Sequence, residues 1–224
     1  MARHSAIGKA RWLAAQRAWL ERWREPGALD RENARIERDY APILRAWGET
    51  TRENPAILDL GCGPACPARF IEKGDKTWLD PMLDDLRRLF PGRLPKGRHL
   101  ATPAEKIPAP DAAFDIIVCV DALDRFMNPE LALHEAQRVI RPDGVLIVGL
   151  PTFPEPLVRA RNFAEHFLPA LRNEAHPYSY TLHGLRKTLA RHFDLKEERA
   201  LPETSPADAR LFGREYALVC KPRA

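Results

Sequence analysis

The amino-acid sequence predicts an α/β fold in which a doubly wound, mostly parallel sheet of seven strands is covered by helices on both faces. Two features carry this prediction. From residue 56 onward, short apolar runs alternate with stretches of helical periodicity, as repeated strand–helix units require. The end of the chain changes to two strand-like runs joined by a long polar connection, which predicts an antiparallel C-terminal edge. A length of 224 residues, 45% of them hydrophobic, suits one such domain.

The first element is predicted to be a basic amphipathic helix over residues 5–24. Its tryptophans recur at spacings that place them near one helical face, and they are Trp12, Trp19 and Trp23. Packing on the body of the protein is one interpretation of these indoles. The other is a substrate lid or a contact with a membrane surface.

A second helix is expected over residues 30–47, because Pro26-Gly27 interrupts the first helix and Asp30 can cap the next one. Together these helices form an N-terminal extension, residues 1–53, which we interpret as a candidate lid. Residues 54–224 form the main domain.

The main domain is predicted to repeat a strand–helix unit. Strands are expected at 56–60, 77–80, 98–101, 114–120, 145–150, 195–200 and 216–220, and helices at 66–73, 82–90, 129–140 and 181–192. A Pro-punctuated insertion at 151–180, with a helix over 157–171, is too long for a simple connector, and such segments often carry function. In a sheet of this kind, ligands bind at the carboxyl ends of the strands where the strand order reverses.

The sequence ILDLGCGPA, residues 57–65, places two glycines directly after the first predicted strand. Gly61 and Gly63 would let a ligand approach bare backbone without a Cβ collision. A dinucleotide-binding dehydrogenase would continue as GxGxxG, but Cys66 stands at the third glycine position. Asp59 could receive a cationic amine or order the turn. The pattern therefore favours a zwitterionic ligand over a diphosphate.

The acid that ends the second strand, Asp80, can accept both hydroxyls of a ribose. The chain here resembles the class I S-adenosylmethionine-dependent methyltransferases, of the subgroup called methyltransferase type 11, which have a Rossmann-like fold. The matching motifs, in the family's order and spacing, are ILDLGCGPA, WLDPML, AEKIP followed by DAAFDIIVCVDALDRFMNPE, and ALHEAQRVIRPDGVLIVGLP. The resemblance covers roughly residues 56–151 and implies S-adenosylmethionine as the cofactor.

The resemblance also implies the cofactor contacts. The glycine turn would hold the methionine part, the acid after the second strand the ribose, and residues 82 and 104 the adenine. The residues implied are Asp59, Gly61, Cys62, Gly63, Asp80, Pro81, Met82, Ala104, Val120 and Asp121. Two positions depart from the family pattern: Ala65 replaces a third glycine, and Pro103 stands where many relatives carry an Asp that binds the adenine amine.

The acceptor side is predicted from four residues. Arg125 stands where many relatives carry a His, and it either binds an acidic acceptor or forms a salt bridge with a neighbouring acid. Phe126, beside it, is a second substrate candidate. His176, in a segment that resembles an HP-plus-aromatic stretch of some relatives, is the candidate base and a substrate contact, and Tyr178 is the next catalytic candidate. Alternatively, His176 fixes the insertion to the sheet and Tyr178 only packs.

Charge and composition narrow the possible partners. Residues 1–25 hold six Arg or Lys against two Glu, which accounts for the whole net charge of +4. The neutral remainder does not favour a nucleic-acid partner. No apolar run approaches the roughly 20 residues of a transmembrane helix, and the N-terminus lacks the pattern of a secretory signal, so a cytoplasmic protein is expected. The cysteine spacing does not favour a metal site.

The predicted activity is transfer of a methyl group from S-adenosylmethionine to oxygen or nitrogen of a small-molecule or saccharide-like acceptor. Two alternatives stay open. An RNA methyltransferase is favoured by the isoelectric point near 9.0. A non-catalytic S-adenosylmethionine-binding regulatory module is suggested by the departures at Pro103 and Arg125.

Overall fold

The computed structural model describes residues 6–168, 175–202 and 213–223. The helices are α1 (Lys9–Arg22), α2 (Ala28–Asp39), α3 (Ala41–Glu49), α4 (Leu83–Leu89), α5 (Pro129–Val139), α6 (Glu155–Phe167) and α7 (Leu182–Leu189). The strands are β1 (Ala56–Leu60), β2 (Asp75–Leu79), β3 (Arg98–Leu100), β4 (Phe114–Val120), β5 (Ile140–Thr152), β6 (Phe193–Ala200) and β7 (Arg214–Pro222). None of these helices is long and apolar enough to cross a membrane.

The seven strands form one sheet in the order β3-β2-β1-β4-β5-β7-β6. The first five strands pair in parallel, and β7 runs antiparallel between β5 and β6. The predicted fold class is confirmed. The strand order reverses between β1 and β4, so the carboxyl ends of these two strands border the crevice in which such sheets bind ligands.

Two apolar cores flank the sheet. Helices α5 and α7 pack on one face, and α1 to α4 pack on the other. All seven residues of β4 are buried, as expected for a strand covered on both faces. Trp19 of α1 and Trp23, which directly follows α1, belong to the second core, together with the fully buried Tyr40. These two indoles therefore pack on the body of the protein.

The helix predicted over residues 30–47 is in fact two helices. Helix α2 ends at Asp39 and α3 begins at Ala41, because Pro42 has no amide proton to continue the hydrogen-bond ladder. The predicted capping role of Asp30 is also wrong. Gly27, with φ at 73°, precedes α2, and no side chain caps the helix there.

Several other predicted boundaries also differ by a few residues, and three of the differences have a visible cause or extent. The helix expected over residues 66–73 is a short 3-10 turn, Pro67–Phe70, because Cys66 adopts a left-handed conformation with φ at 47°. Strand β5 begins at Ile140 rather than at residue 145, since a register shift against β4 accommodates residues 141–144 as a bulge. Helix α6 begins two residues before the predicted 157 and ends at Phe167; residues 169–171 of that prediction lie outside the described residues.

Replacing Gly149 by Ala is expected to destabilise the protein. A Cβ at this position in β5 would collide with the ring and hydroxyl of the fully buried Tyr40, and such overpacking costs about 1–3 kcal/mol. Urea denaturation followed by circular dichroism measures the loss. Gly8→Ala is the control, because a Cβ at Gly8 meets no atom within 4 Å. Equal stability of the two variants would contradict this packing.

Candidate active site

Two adjoining cavities open at the carboxyl ends of the parallel strands, and we call them the cleft and the chamber. The cleft is lined by Trp12, Gln16, Trp19, Gly61, Asp80, Pro81, Pro103, Ala104, Glu105, Ala122, Arg125 and Phe126. The chamber has a volume of about 710 Å³ and is lined by Arg22, Trp23, Glu32, Arg35, Asp121, Asp124, Arg125, Pro151, Phe153, Arg161, His176, Tyr178 and Glu215. Arg125 is common to both cavities.

The turn after β1 requires glycine at two positions. Gly61 has φ at 76° and Gly63 has φ at 53°, in the left-handed region that side chains disfavour. A Cβ at Gly61 would collide with the Cβ of Ala122, and one at Gly63 would lie 3.2 Å from the Trp19 ring. The turn therefore presents backbone to the cleft at close range.

Asp59 lies buried behind the glycine turn, with 1% of its surface exposed. Its Oδ2 accepts a hydrogen bond of 2.7 Å from the amide of Ala68, whereas its buried Oδ1 has no partner among the described residues. Burial, with the charge of Asp80 adding to it, raises the pKa of Asp59 to about 8. The carboxyl group therefore holds the 3-10 turn at Pro67–Phe70 through one of its two oxygens.

Asp80 connects the end of β2 to the glycine turn. Its Oδ2 accepts from the amide of Gly63 at 3.1 Å, and its Oδ1 accepts from the amide of Met82 at 2.8 Å. Burial raises the pKa of Asp80 although both hydrogen bonds favour the ionised form. The carboxyl group lines the cleft in a fixed orientation.

Helix α1 covers the cleft through Trp12, Gln16 and Trp19. The Gln16 amide donates to the carbonyl oxygen of Arg125 at 3.3 Å. The Arg125 guanidinium lies 5.4 Å from the centroid of the Trp19 ring, within cation–π range. These contacts leave about 30 Å³ free in the cleft.

The chamber contains a paired histidine and aspartate. Nδ1 of His176 lies 2.6 Å from Oδ2 of Asp124. Burial alone would raise the pKa of Asp124, but the hydrogen bond from His176 and the charge of Arg125 outweigh burial and lower it. Asp124 is therefore an ionised acceptor, so Nδ1 of His176 is the donor, and Nε2 is the nitrogen that can take up a proton.

Tyr178, the second predicted catalytic residue, also lines the chamber. Its hydroxyl donates to the carbonyl oxygen of Met127 at 3.0 Å, and its amide donates to the carbonyl oxygen of Asp124 at 3.2 Å. Burial raises the pKa of the phenol. Both contacts tie the segment around Tyr178 to the loop after β4.

A half-buried arginine connects three acids that line the chamber. Arg35 of α2 contacts Asp121, donates to Glu32 at 2.6 Å and donates to both carboxylate oxygens of Glu215 at 2.7 and 2.8 Å. Asp121 follows β4 with φ at 51°. Burial and the charge of Glu215 raise its pKa to about 7. Sequence analysis missed Arg35, Glu32 and Glu215, which come from α2 and β7 and carry no local motif.

A family model described as a methyltransferase domain matches residues 58–148. A thiol S-methyltransferase of Mus musculus is 32% identical over 104 residues, which are 43% of this chain and only 42% of that protein. A ubiquinone/menaquinone biosynthesis C-methyltransferase of Burkholderia multivorans is 26% identical over 186 residues, which are 75% of this chain and 76% of that protein.

The matched region contains the glycine turn, Asp80 and the loop after β4. These matches support a class I S-adenosylmethionine-dependent methyltransferase domain in the matched region. A solved structure with the same fold is the Burkholderia thailandensis 1,6-didemethyltoxoflavin-N1-methyltransferase with bound 1,6-didemethyltoxoflavin and S-adenosylhomocysteine. It superposes with a TM-score of 0.67 at 16% identity, and the match covers 100% of this chain and 94% of that one. At that identity the likeness concerns the fold alone.

The structure places the predicted site residues in several locations. Pro81, Ala104 and Phe126 line the cleft with Gly61 and Asp80, whereas Phe126 was predicted on the acceptor side. Asp121, predicted as a cofactor contact, lines the chamber. Cys62 and Val120 are buried, with 2% and 4% of their surfaces exposed. The two predicted catalytic residues, His176 and Tyr178, line the chamber together with Arg125. Three of the four residues predicted for the acceptor side therefore lie in one cavity.

The raised pKa of Asp59 makes stability depend on pH. An ordinary Asp has a pKa near 4 in the unfolded chain, whereas in the folded protein the pKa of Asp59 is raised to about 8. Between these values the folded chain binds one more proton, so the wild-type free energy of unfolding falls as pH rises. Asp59→Asn keeps an acceptor for the Ala68 amide and does not titrate.

The stability of Asp59→Asn relative to wild type is therefore expected to increase from pH 5 to about pH 8 and to level off above it. Urea denaturation midpoints measured at each pH provide this difference. A difference that stays constant from pH 5 to pH 9 would show that Asp59 does not titrate in this range.

Proposed function

We propose that this methyltransferase transfers the methyl group of S-adenosylmethionine to an oxygen or nitrogen atom of a polar small molecule bound in the chamber. The observation that carries the proposal is the His176–Asp124 pair, with 2.6 Å between Nδ1 and Oδ2. Hydroxyl and protonated amine acceptors must lose a proton during transfer, and a histidine held in this way can take it. Arg125 connects the chamber to the cleft, where the cofactor is proposed to bind.

The residues of the cleft fit the cofactor chemically. The bare backbone at Gly61 and Gly63 suits close approach of the methionine part. Oδ1 of Asp59, which has no partner among the described residues, can accept from a cationic amino group, directly or through a water molecule, because the positive charge favours the ionised carboxylate. Asp80 offers two carboxylate oxygens to ribose hydroxyls beside Pro81 and Ala104.

Helix α1 has to shift when the cofactor enters. The free space of about 30 Å³ is far below the roughly 300–1,000 Å³ typical of small-molecule sites. Trp12 and Trp19 are the bulky side chains that α1 contributes to the cleft. The N-terminal extension is thus proposed to act as a lid over the cofactor.

The bound cofactor supplies an electrophilic methyl group on a sulfonium, and the protein aligns the nucleophile with it. His176 is proposed to remove the acceptor proton at Nε2 while Asp124 stabilises the imidazolium that forms. Well-oriented reactants can gain about 7–11 kcal/mol from positioning alone. Most of the chain's contribution would therefore be orientation, with proton removal added by the histidine.

The chamber favours a polar acceptor. Ten of its thirteen lining residues are ionisable, and burying charged groups against an apolar ligand without compensating hydrogen bonds is costly. Arg22 and Arg125 present positive charge, and the acids around Arg35 present negative charge. This lining matches an acceptor with hydroxyl, amino or acidic groups better than a long apolar quinone or an alkyl thiol.

Asp80→Ala is expected to weaken cofactor binding. Loss of hydrogen bonds to a charged group costs about 1.5–3 kcal/mol, which calorimetric titration with S-adenosylmethionine would measure as a higher Kd. Asp84→Ala is the control, because Asp84 is an exposed residue of α4 paired with Arg87. An unchanged affinity in Asp80→Ala would remove the proposed ribose contact.

His176→Gln is expected to lower kcat by roughly 10²–10⁴-fold, the usual contribution of a general base, with cofactor affinity unchanged. Transfer of tritiated methyl from S-adenosylmethionine to a panel of amines, alcohols and phenols measures the rate. His183→Gln, at an exposed position of α7, controls for the general effect of losing an imidazole. Full activity of His176→Gln would exclude it as the base.

A further inference from the structure

We propose that Arg161 of α6 is the positioning residue that holds His176 in place for proton transfer. The inference rests on the proposed function, because it assigns a role to Arg161 through His176. The motifs that carry the family resemblance end at residue 151, and the family model ends at residue 148, so neither assigns a role to α6.

The guanidinium of Arg161 uses all three of its nitrogens. Its Nη2 donates to the carbonyl oxygen of His176 at 2.6 Å, and its Nη1 donates to the hydroxyl of Ser179. Its Nε donates to Oε1 of Glu165, one turn later on the same helix, at 2.6 Å. One side chain thus connects a helix to the segment that carries the proposed base.

Residues 176–180, which we call the base segment, have neither helical nor strand hydrogen bonding. Their conformation therefore depends on contacts with neighbouring elements. The loop after β4 holds one side of the base segment, through the carbonyl oxygens of Asp124 and Met127. Arg161 holds the other side, so the segment lies between two supports.

The chemistry of these contacts requires arginine. A guanidinium presents five donors in a rigid planar fork, and it can bind a carbonyl, a hydroxyl and a carboxylate in fixed directions at once. The carboxylate of Glu165 orients the guanidinium of Arg161 by accepting from its Nε. Glu165 also lies 3.5 Å from Arg11 of α1. The Arg161 and Glu165 side chains are 23% and 12% exposed, so water competes little for these bonds.

The geometry predicts how loss of Arg161 would act. Without the bond to its carbonyl oxygen, the backbone of His176 can rotate away from α6, and Nδ1 would no longer stay on Asp124. Displacement of a catalytic group by about 1 Å can cost up to roughly 100-fold in rate. Arg161 also lines the chamber, so a direct contact with the acceptor is the competing explanation, and that contact would raise KM.

The first test is spectroscopic and needs no acceptor. In full-length protein labelled with ¹⁵N-histidine, the signals of His176, assigned by comparison with His176→Gln, report which ring nitrogen carries the proton. Arg161→Met should shift these signals toward those of the Asp124→Asn variant, and Arg161→Lys should give an intermediate shift. Arg159→Met, an exposed residue of the same helix paired with Glu155 at 2.6 Å, should leave them unchanged.

Thermal denaturation and titration with S-adenosylmethionine confirm that each variant is folded and binds the cofactor. If Arg161→Met does not fold, the proposal is tested by comparing the His176 signals of Arg161→Lys with those of wild type. Signals of His176 that match wild type in the folded Arg161 variants would overturn the proposal.

The second test separates this proposal from the proposed function. Transfer of tritiated methyl to histamine, tyramine and ethanolamine is measured for Arg161→Met, His176→Gln and the double variant. The expected result is a loss of kcat of up to about 100-fold in Arg161→Met and no further loss when it is added to His176→Gln, because the two changes act through one group.

Losses that multiply in the double variant, or a change confined to KM, would overturn the positioning role while leaving His176 as the base. Full activity of His176→Gln would instead overturn the proposed function. If none of the three amines is methylated, the spectroscopic comparison alone decides the positioning role.

Discussion

Parallel pairing of β1 with β2 and β4 is the constraint on which the whole site depends. It brings the glycine turn, Asp80 and the loop after β4 to one edge of the sheet. Buried hydrogen bonds then lock these pieces together, since Asp80 accepts from the amide of Gly63. The cleft exists because three chain segments end at the same edge of the sheet.

The N-terminal extension completes both cavities. Tyr40 packs against β5 where Gly149 leaves room for its ring, and this packing places α2 so that Arg35 reaches Asp121 and Glu215. Helix α1 covers the cleft. The extension therefore contributes side chains to the lining of both cavities.

The site contains acids whose ionised forms are destabilised by burial. Asp59 and Asp121 have pKa values raised to about 8 and about 7, which means that the folded state resists their ionisation. Asp121 also has φ at 51°, an unfavourable conformation for a residue with a side chain. Proteins keep such features mainly at functional sites, and here they border the cleft and the chamber.

The sequence by itself determined the sheet, the glycine turn and the acid after β2, because short apolar runs, glycine spacing and a carboxylate after a strand are local patterns. It did not determine the break at Tyr40 or the short turn after Cys66, where one proline and one left-handed residue override helix periodicity. Asp124 lies 52 residues from its partner His176, and Asp121 and Glu215 lie 86 and 180 residues from Arg35 in the chain. Only the tertiary structure decided these contacts, since pairing between distant segments follows from how the elements pack.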